Sequence, residues 1–211
     1  MRRPTRALLP ALLLLAALPP AGCSGTSTTI APEPTAVFVP DADPAPDGSV
    51  TLQPGGTDAR TFEVRVSVRG IQDIFGAAFR IAFDKTKVVF AGYDASGSVL
   101  AEGGAVVTCF VDATSEVGTV KVGIGRVQNG DGTVPGVDVT EPADLLVIRL
   151  LAASDAADVA IDFQTDFCEL RDSAQPPPGN LIPATWSGGA VTGSTSPDPA
   201  SCSRSLMAQS T

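Results

Sequence analysis

Apolar and polar residues alternate in short runs along the middle of the chain. The run TFEVRVSV at residues 61–68 places its phenylalanine and three valines on one side and its charged and hydroxyl side chains on the other. The run FGAAFRIAF at residues 75–83 alternates in the same way. A period of two is typical of an antiparallel strand that has one side in the core and the other in water. These two runs are therefore predicted to be half-buried strands.

Further segments with β character follow one another, separated by Gly, Pro, Asn and Asp. The nine predicted strands cover residues 36–39, 61–68, 75–83, 88–90, 105–111, 119–126, 145–151, 159–163 and 185–191. Many short strands spaced by turn residues predict an all-β fold, either a sandwich or a barrel. The pattern alone does not give the order of the strands.

The first 22 residues have the composition of a secretory signal peptide. Arg2, Arg3 and Arg6 precede an apolar run at residues 7–18, and small residues follow it. A membrane-spanning helix needs roughly 20 apolar residues, and this run has about a dozen. The segment is therefore predicted to be a cleaved export signal, and the chain to be exported.

Cys23 follows Ala21 and Gly22, an ending that resembles the lipobox of bacterial lipoproteins, although Pro20 stands where leucine is usual. The resemblance implies acylation of Cys23, which would hold the chain on a membrane. Because Ser24 rather than Asp follows, it also implies the outer membrane or the cell surface. Residues 23–34 are predicted to be a flexible tether, residues 35–193 a single domain and residues 194–211 a disordered tail.

Charge and composition exclude several classes of function. The net charge of −9 becomes −12 when residues 1–22 with their three arginines are removed, and such an acidic chain is not expected to bind nucleic acid. The chain has no histidine, which is the usual general base and a common metal ligand. No nucleophile–base pair, phosphate loop or metal-binding cluster is visible. The sequence predicts a protein that is not an enzyme and binds no cofactor or metal.

Four segments together resemble a cohesin domain, the module that receives dockerins in cellulosome-type assemblies. They are GAAFRIAFDKTKVVF at 76–90, GTVKVGIGRVQNGDGTVPG at 118–136, DLLVIRLLA at 144–152 and IPATWSGGAVTG at 182–193. The resemblance covers roughly residues 35–193 and implies a nine-stranded jelly-roll β-sandwich. It implies a membrane-anchored binding module with a dockerin-like or other protein partner. A polysaccharide-binding module of the same fold is the alternative.

The resemblance also indicates a binding surface and a departure from the family pattern. Arg80 and Lys121 are predicted to point outward from two neighbouring strands, where they are either a basic spot for an acidic partner or solvated charges. Cohesins commonly have Asn and Asp on the strand that here carries Gly76 and Ala78 at the outward positions. A dockerin-like partner would therefore need a different set of contacts.

Two other candidate sites have ordinary explanations. Trp186 and Tyr93 are the only Trp and Tyr, and the phenylalanines fall mostly at core positions, which is too few aromatics for a sugar-stacking platform. The sequence Asn-Gly-Asp-Gly at 129–132 offers oxygen ligands for calcium, but it is also a strong turn signal and lacks the later glutamate of a calcium loop.

The cysteines leave one question open. Besides Cys23 there are Cys109, Cys168 and Cys202, an odd number. Export favours a disulfide between Cys109 and Cys168. The cohesin strand order opposes it, since it separates their strands by three gaps of about 4.8 Å, beyond the roughly 7 Å that a disulfide allows between Cα atoms. Both outcomes stay open at this point.

Overall fold

A computed structural model describes residues 36–58, 60–128, 134–153, 156–174 and 179–193. Its regular elements are almost entirely strands, with two short 3₁₀ segments. The strands are β1 Ala36–Pro40, β2 Ser49–Asp58, β3 Thr61–Arg69, β4 Ile71–Ile74, β5 Gly76–Phe83, β6 Val88–Asp94, β7 Val107–Asp112, β8 Thr119–Arg126, β9 Val137–Val139, β10 Ala143–Ala152, β11 Val159–Phe163, β12 Glu169–Arg171, β13 Leu181–Ile182, β14 Thr185–Ser187 and β15 Gly189–Gly193. The 3₁₀ segments are η1 Val99–Gly104 and η2 Thr165–Phe167.

Two large sheets form the sandwich. In the first sheet, β1, β15, β11 and β5 are consecutive neighbours, and β8 and then β7 continue it beyond β5. The second sheet has the order β14-β2-β3-β10-β6, and β4 pairs with β9 in a small separate sheet. Eight of the nine predicted strands are present, and the all-β sandwich is confirmed. The ninth prediction, one strand at residues 185–191, is wrong, because this segment forms β14 in the second sheet and β15 in the first.

The core lies between the two sheets and follows the predicted alternation. The four apolar side chains of β3 (Phe62, Val64, Val66, Val68) are at most 1% exposed. The neighbouring β10 buries Leu146, Ile148 and Leu150 against the same interior. Each such side chain contributes roughly 1.5–3 kcal/mol when it leaves water. The period-two pattern therefore fixes which side of each strand faces inward.

Three aromatic rings meet inside the sandwich, where Phe79 of β5 packs against side chains from two other strands. Its ring centroid lies 5.7 Å from that of Phe163, nearly edge to face, and 5.9 Å from that of Trp186. Phe163 and Trp186 are themselves 5.0 Å apart at 72°. Edge-to-face geometry of this kind adds about 0.5–1.5 kcal/mol per pair beyond simple burial. The partly buried Trp186 of β14 thus packs against the core and links the two sheets.

The structure also contains a long strand that the sequence analysis missed. β2 pairs with β3 along most of its length, and Ser49, Val50, Thr51 and Leu52 at its start are fully buried. The segment does not look like a strand because its second half contains Pro-Gly-Gly at residues 54–56, a turn-forming combination. The structure accommodates them at a register shift between Pro54 and Thr57. A bulge lets such residues remain within a strand.

One edge of β5 is covered by two short strands rather than one continuous strand. β11 pairs with residues 81–83 of β5, and β12 pairs with residues 76–78. Between them the chain leaves the sheet and forms η2. This interruption brings Phe167 onto the outer surface of the first sheet, where it is 51% exposed.

Several sequence predictions concern residues outside the described ranges. These are the signal peptide at 1–22, the acylation of Cys23, the tether at 23–34, the tail at 194–211 with Cys202, and the turn at 129–132. Within the described ranges, no helix has the length and hydropathy needed to cross a bilayer.

Candidate functional site

A shallow groove runs over the outer surface of the first sheet. Strand register places Phe110 of β7 opposite Gly123 of β8, Gly123 opposite Ala78 of β5, and Ala78 opposite Glu169 of β12. The two central positions of this row have almost no side chain. A groove of about 490 Å³ results, with Gly123 and Ala78 as its floor. We call this surface the sheet face.

Two exposed phenylalanines flank the groove. Phe110 is 68% exposed and Phe167 is 51% exposed, although both are large apolar side chains. Phe110 occupies an outward position on β7, and the glycine opposite it on β8 offers no side chain to cover its ring. Phe167 is the last residue of η2, in the segment between β11 and β12. Contiguous exposed apolar patches on a folded domain often mark interaction sites.

The predicted basic residues lie at one end of the groove. Arg80 and Lys121 are directly opposite each other on β5 and β8, and both line the groove. The Arg80 guanidinium stacks on the Phe167 ring at 3.7 Å from the centroid. Lys121 instead pairs with Glu116 at 3.2 Å and donates to the Ser115 hydroxyl at 3.1 Å. Within the described residues Arg80 makes no ion pair, so its charge is held in place but not neutralised.

Two acidic side chains, Glu169 and Asp166, line the groove. Glu169 pairs with Arg171 of the same strand at 2.7 Å. Asp166 lies in η2 on the same rim. Burial raises the pKa of Asp162 on β11, and the negative charge of Asp41 raises it further.

Asp112 ends β7 beside Lys121 and organises the turn that follows. Hydrogen bonds from the Ser115 hydroxyl and from the backbone N–H groups of Ser115 and Thr114 hold the pKa of Asp112 well below its ordinary value. The two N–H groups lie 3.0 and 2.9 Å from Oδ1. The carboxylate therefore acts as the acceptor that closes this turn at the end of the sheet face.

The shift at Asp112 predicts a pH dependence. The folded pKa is lowered, so the charged form stabilises the fold above the unfolded value of 3.8 and this contribution is lost as pH falls towards the folded value. Asp112→Asn keeps an acceptor oxygen but cannot titrate. Between about pH 5 and about pH 2, the melting temperature of the wild type should therefore fall more steeply than that of the variant. Parallel slopes in thermal melts followed by circular dichroism would contradict the assignment.

The two described cysteines are both free thiols, so the disulfide that the sequence left open is absent. Cys109 lies on β7 and Cys168 directly precedes β12. Strands β8 and β5 separate β7 from β12 in the sheet. Burial raises the pKa of both thiols. The Cys168 thiol donates to the Gln164 carbonyl at 3.3 Å and lines one wall of the groove.

Comparison with known proteins gives matches in structure only. No protein-family model matches the chain, and no curated protein matches it in sequence. The solved domain CaCohA2 of Clostridium acetobutylicum superposes with a TM-score of 0.52 and 14% identity, over 72% of this chain and 95% of that one. The domain has the fold of a cohesin.

Two further solved cohesins superpose less closely. A type II cohesin domain from the cellulosome of Acetivibrio cellulolyticus has a TM-score of 0.48 and 14% identity, over 75% of this chain and 94% of that one. A non-cellulosomal cohesin from the archaeon Archaeoglobus fulgidus has a TM-score of 0.44 and 15% identity, over 80% and 96%. The sheet order described above, with the superposition on CaCohA2, confirms the jelly-roll β-sandwich that the resemblance implies.

Within this cohesin fold, the sequence analysis located the basic residues of the sheet face but missed its aromatic walls. It considered only Trp186 and Tyr93 as surface aromatics, whereas the partly buried Trp186 packs against the core and Tyr93 lies on β6 of the second sheet. Phe110 could have been found from the alternation of β7, in which Cys109 and Val111 share the opposite side. No local signal marks Phe167, because its exposure depends on the interruption between β11 and β12.

Proposed function

We propose that this domain is a non-catalytic protein-binding module and that the sheet face is its binding surface. The observation that supports the proposal most directly is the groove itself, whose floor is nearly bare of side chains and whose walls are two exposed phenylalanine rings. Covering such rings with a partner removes apolar area from water, at about 25 cal/mol for each Å². A flat, open surface of this kind suits a protein partner better than a small molecule, which needs a cleft that encloses it.

The fold supports a protein partner as well. CaCohA2, which shares the fold, has also been solved in a complex with CaDoc0917. We infer that the partner of this domain is dockerin-like or another protein of comparable shape. Gly76 and Ala78 offer no hydrogen-bonding side chain at the outward positions of β5, so the contacts here are apolar and ionic.

We further propose that the chain is exported and anchored by an acylated Cys23, at the outer membrane or the cell surface. The signal-peptide composition of residues 1–22 and the lipobox-like ending support this. Mass spectrometry of the mature protein should find Cys23 as an acylated N-terminal residue. An unmodified Cys23, or a chain that retains its first 22 residues, would contradict the anchor.

Polysaccharide binding is a second candidate, favoured by the two exposed rings of the sheet face. Aromatic rings stack on sugars, but such sites also need polar groups that bind the sugar hydroxyls. Gly123 and Ala78 on the floor have no polar side-chain atoms. Binding to a glycan array that disappears in the Phe110→Ala variant would favour this candidate over a protein partner.

The binding proposal is tested by a substitution that fills the groove. The purified chain, immobilised, should retain a protein from the secreted proteins of the same organism, and the Gly123→Leu variant should not. Mass spectrometry identifies the retained protein, and titration with its purified form gives the affinity. Retention of the same protein by the variant would rule out the sheet face as the binding surface.

A further inference from the structure

Strand β7 forms one edge of the first sheet, and its outer side is open. Within the described residues it pairs with β8 alone. We propose that this edge pairs with the β7 edge of a second copy of the chain, antiparallel and centred on Cys109, so that the two first sheets join into one. The inference goes beyond the proposed function, because it concerns the edge of the sheet and not the sheet face.

The free backbone groups of β7 follow from its pairing with β8. The N–H of Val127 donates to the carbonyl of Val106 at 2.8 Å, so these opposite residues form a hydrogen-bonded pair. In an antiparallel ladder, hydrogen-bonded and non-hydrogen-bonded pairs alternate. The N–H and C=O groups of Val107, Cys109 and Val111 therefore point away from β8. They give the edge a row of alternating donors and acceptors.

The other edges of the two large sheets carry features that disfavour pairing, whereas β7 carries none. β6 has an extra residue, Ala91, at the register shift opposite Arg149 and Leu150 of β10. β1 ends at Pro40, which has no N–H, and β13 and β14 have only two and three residues. Bulges, proline, charges and short length are the means by which edge strands avoid pairing. The stretch AVVTCFV at 105–111 contains no charge, proline or glycine.

A second copy of β7 complements this edge. Pairing centred on Cys109 places Val107 opposite Val111 of the second copy, so the donors of each strand meet the acceptors of the other. Asp112, the only charged residue of β7, then lies opposite Val106 of the second copy and not opposite another acid. Like charges directly opposite each other would disfavour pairing. The edge is thus self-complementary in hydrogen bonding and in charge, as a twofold interface requires.

Exposed apolar side chains beside this edge would be covered by the second copy. Phe110 and Val106 are 68% and 66% exposed. In the proposed pairing the Phe110 ring lies across from Thr108 of the second copy, in a non-hydrogen-bonded pair whose side chains approach closely. An interface that covers few side chains is weak, so the Kd for dimerisation should lie above about 1 μM. The twofold axis would place both sheet faces on the same side of the joined sheet.

Sedimentation equilibrium of the purified full chain tests the pairing in the absence of any partner. Between about 5 and about 500 μM, the wild type should shift from monomer to dimer. Val107→Pro removes an N–H that points to the open edge, and its ring blocks the approach of another strand, while no hydrogen bond to β8 is lost. The Kd for dimerisation should rise at least tenfold, and the circular dichroism spectrum should match that of the wild type.

A matched pair of phenylalanine substitutions makes the test independent of the proline variant. Phe110→Ala removes the ring that lies across from Thr108 of the second copy, so it should weaken dimerisation several-fold. Phe167→Ala makes the same change at the other wall of the groove, with β8 and β5 between it and the edge, and should leave the Kd unchanged. Equal weakening by both variants would mean that the copies meet through their sheet faces, and would overturn the edge pairing.

Amide hydrogen exchange measured by NMR identifies the strand in contact. The amides of Val107, Cys109 and Val111 should exchange more slowly as the protein concentration rises. The amides of Thr108 and Phe110, which bond to β8, should show no such dependence. A chain that stays monomeric at about 500 μM, or a dimer without this protection, would overturn the inference. Both results leave the proposed function standing, because capture of a partner by the sheet face does not require a dimer. A chain that dimerises but captures no partner would contradict the proposed function alone.

Discussion

Replacing Phe79 by alanine should lower the free energy of unfolding by about 3–5 kcal/mol, a large part of the stability of a domain this size. Phe79 is 1% exposed and lies centrally on β5. The substitution removes the ring that contacts both Phe163 and Trp186 and leaves a cavity between the two sheets. Urea denaturation followed by circular dichroism or tryptophan fluorescence measures the loss, since Trp186 is the only tryptophan.

The matched control is Phe110→Ala, which makes the same chemical change on the same sheet. Phe110 is 68% exposed, so its removal should change the free energy of unfolding by no more than about 0.5 kcal/mol. The pair separates the two roles of phenylalanine in this domain, one in the core and one on the sheet face. Equal losses for both variants would mean that the outward orientation of β7 is wrong.

The predicted core could be read from the sequence because burial on β3 and β5 follows the alternation. On β3 the inward positions are all apolar, so one residue of register shift would expose every one of them. The same holds for Phe79 and Ile81 on β5, which are at most 2% exposed. Where a strand is buried on one side only, side-chain pattern and tertiary position give the same information.

The pattern failed for β2 because local and tertiary preferences disagree there. Pro54, Gly55 and Gly56 are turn formers, and Ser49 and Thr51 are polar although both are fully buried. The Ser49 hydroxyl donates to the Pro46 carbonyl at 2.5 Å, and Thr51 accepts a hydrogen bond from the Gln53 side chain at 3.0 Å. Such satisfied polar groups are tolerated inside a protein, but a hydrophobic pattern cannot reveal them.

The sheet face was only partly predictable, for a different reason. Arg80 and Lys121 occupy outward positions in the alternation of their own strands. Their location can therefore be predicted when only the pairing of β5 with β8 is known. The groove requires four strands in register, because Phe110, Gly123 and Ala78 become neighbours only through pairing of β7, β8 and β5. Phe167 also requires the break between β11 and β12. Sites built from several strands depend on strand order, which alternation does not determine.

The groove also explains why a larger residue at its floor should separate binding from folding. A Cβ at Gly123 would meet no atom within 4 Å, and the backbone there needs no positive φ. In Gly123→Leu the new side chain lies between Phe110 and Ala78, in the space that the partner would occupy. Because glycine weakens a strand interior, the melting temperature of the variant should equal or exceed that of the wild type.

Binding of the captured partner to Gly123→Leu should be weakened about thirtyfold or more, since loss of a central contact typically costs 2 kcal/mol or more. Gly97→Leu is the control, because it adds the same side chain to open surface in the loop between β6 and η1. Its affinity should match that of the wild type in calorimetric titration. If Gly123→Leu binds as tightly as the control while remaining folded, the partner contacts another surface, because a leucine cannot share the floor of the groove with a bound side chain.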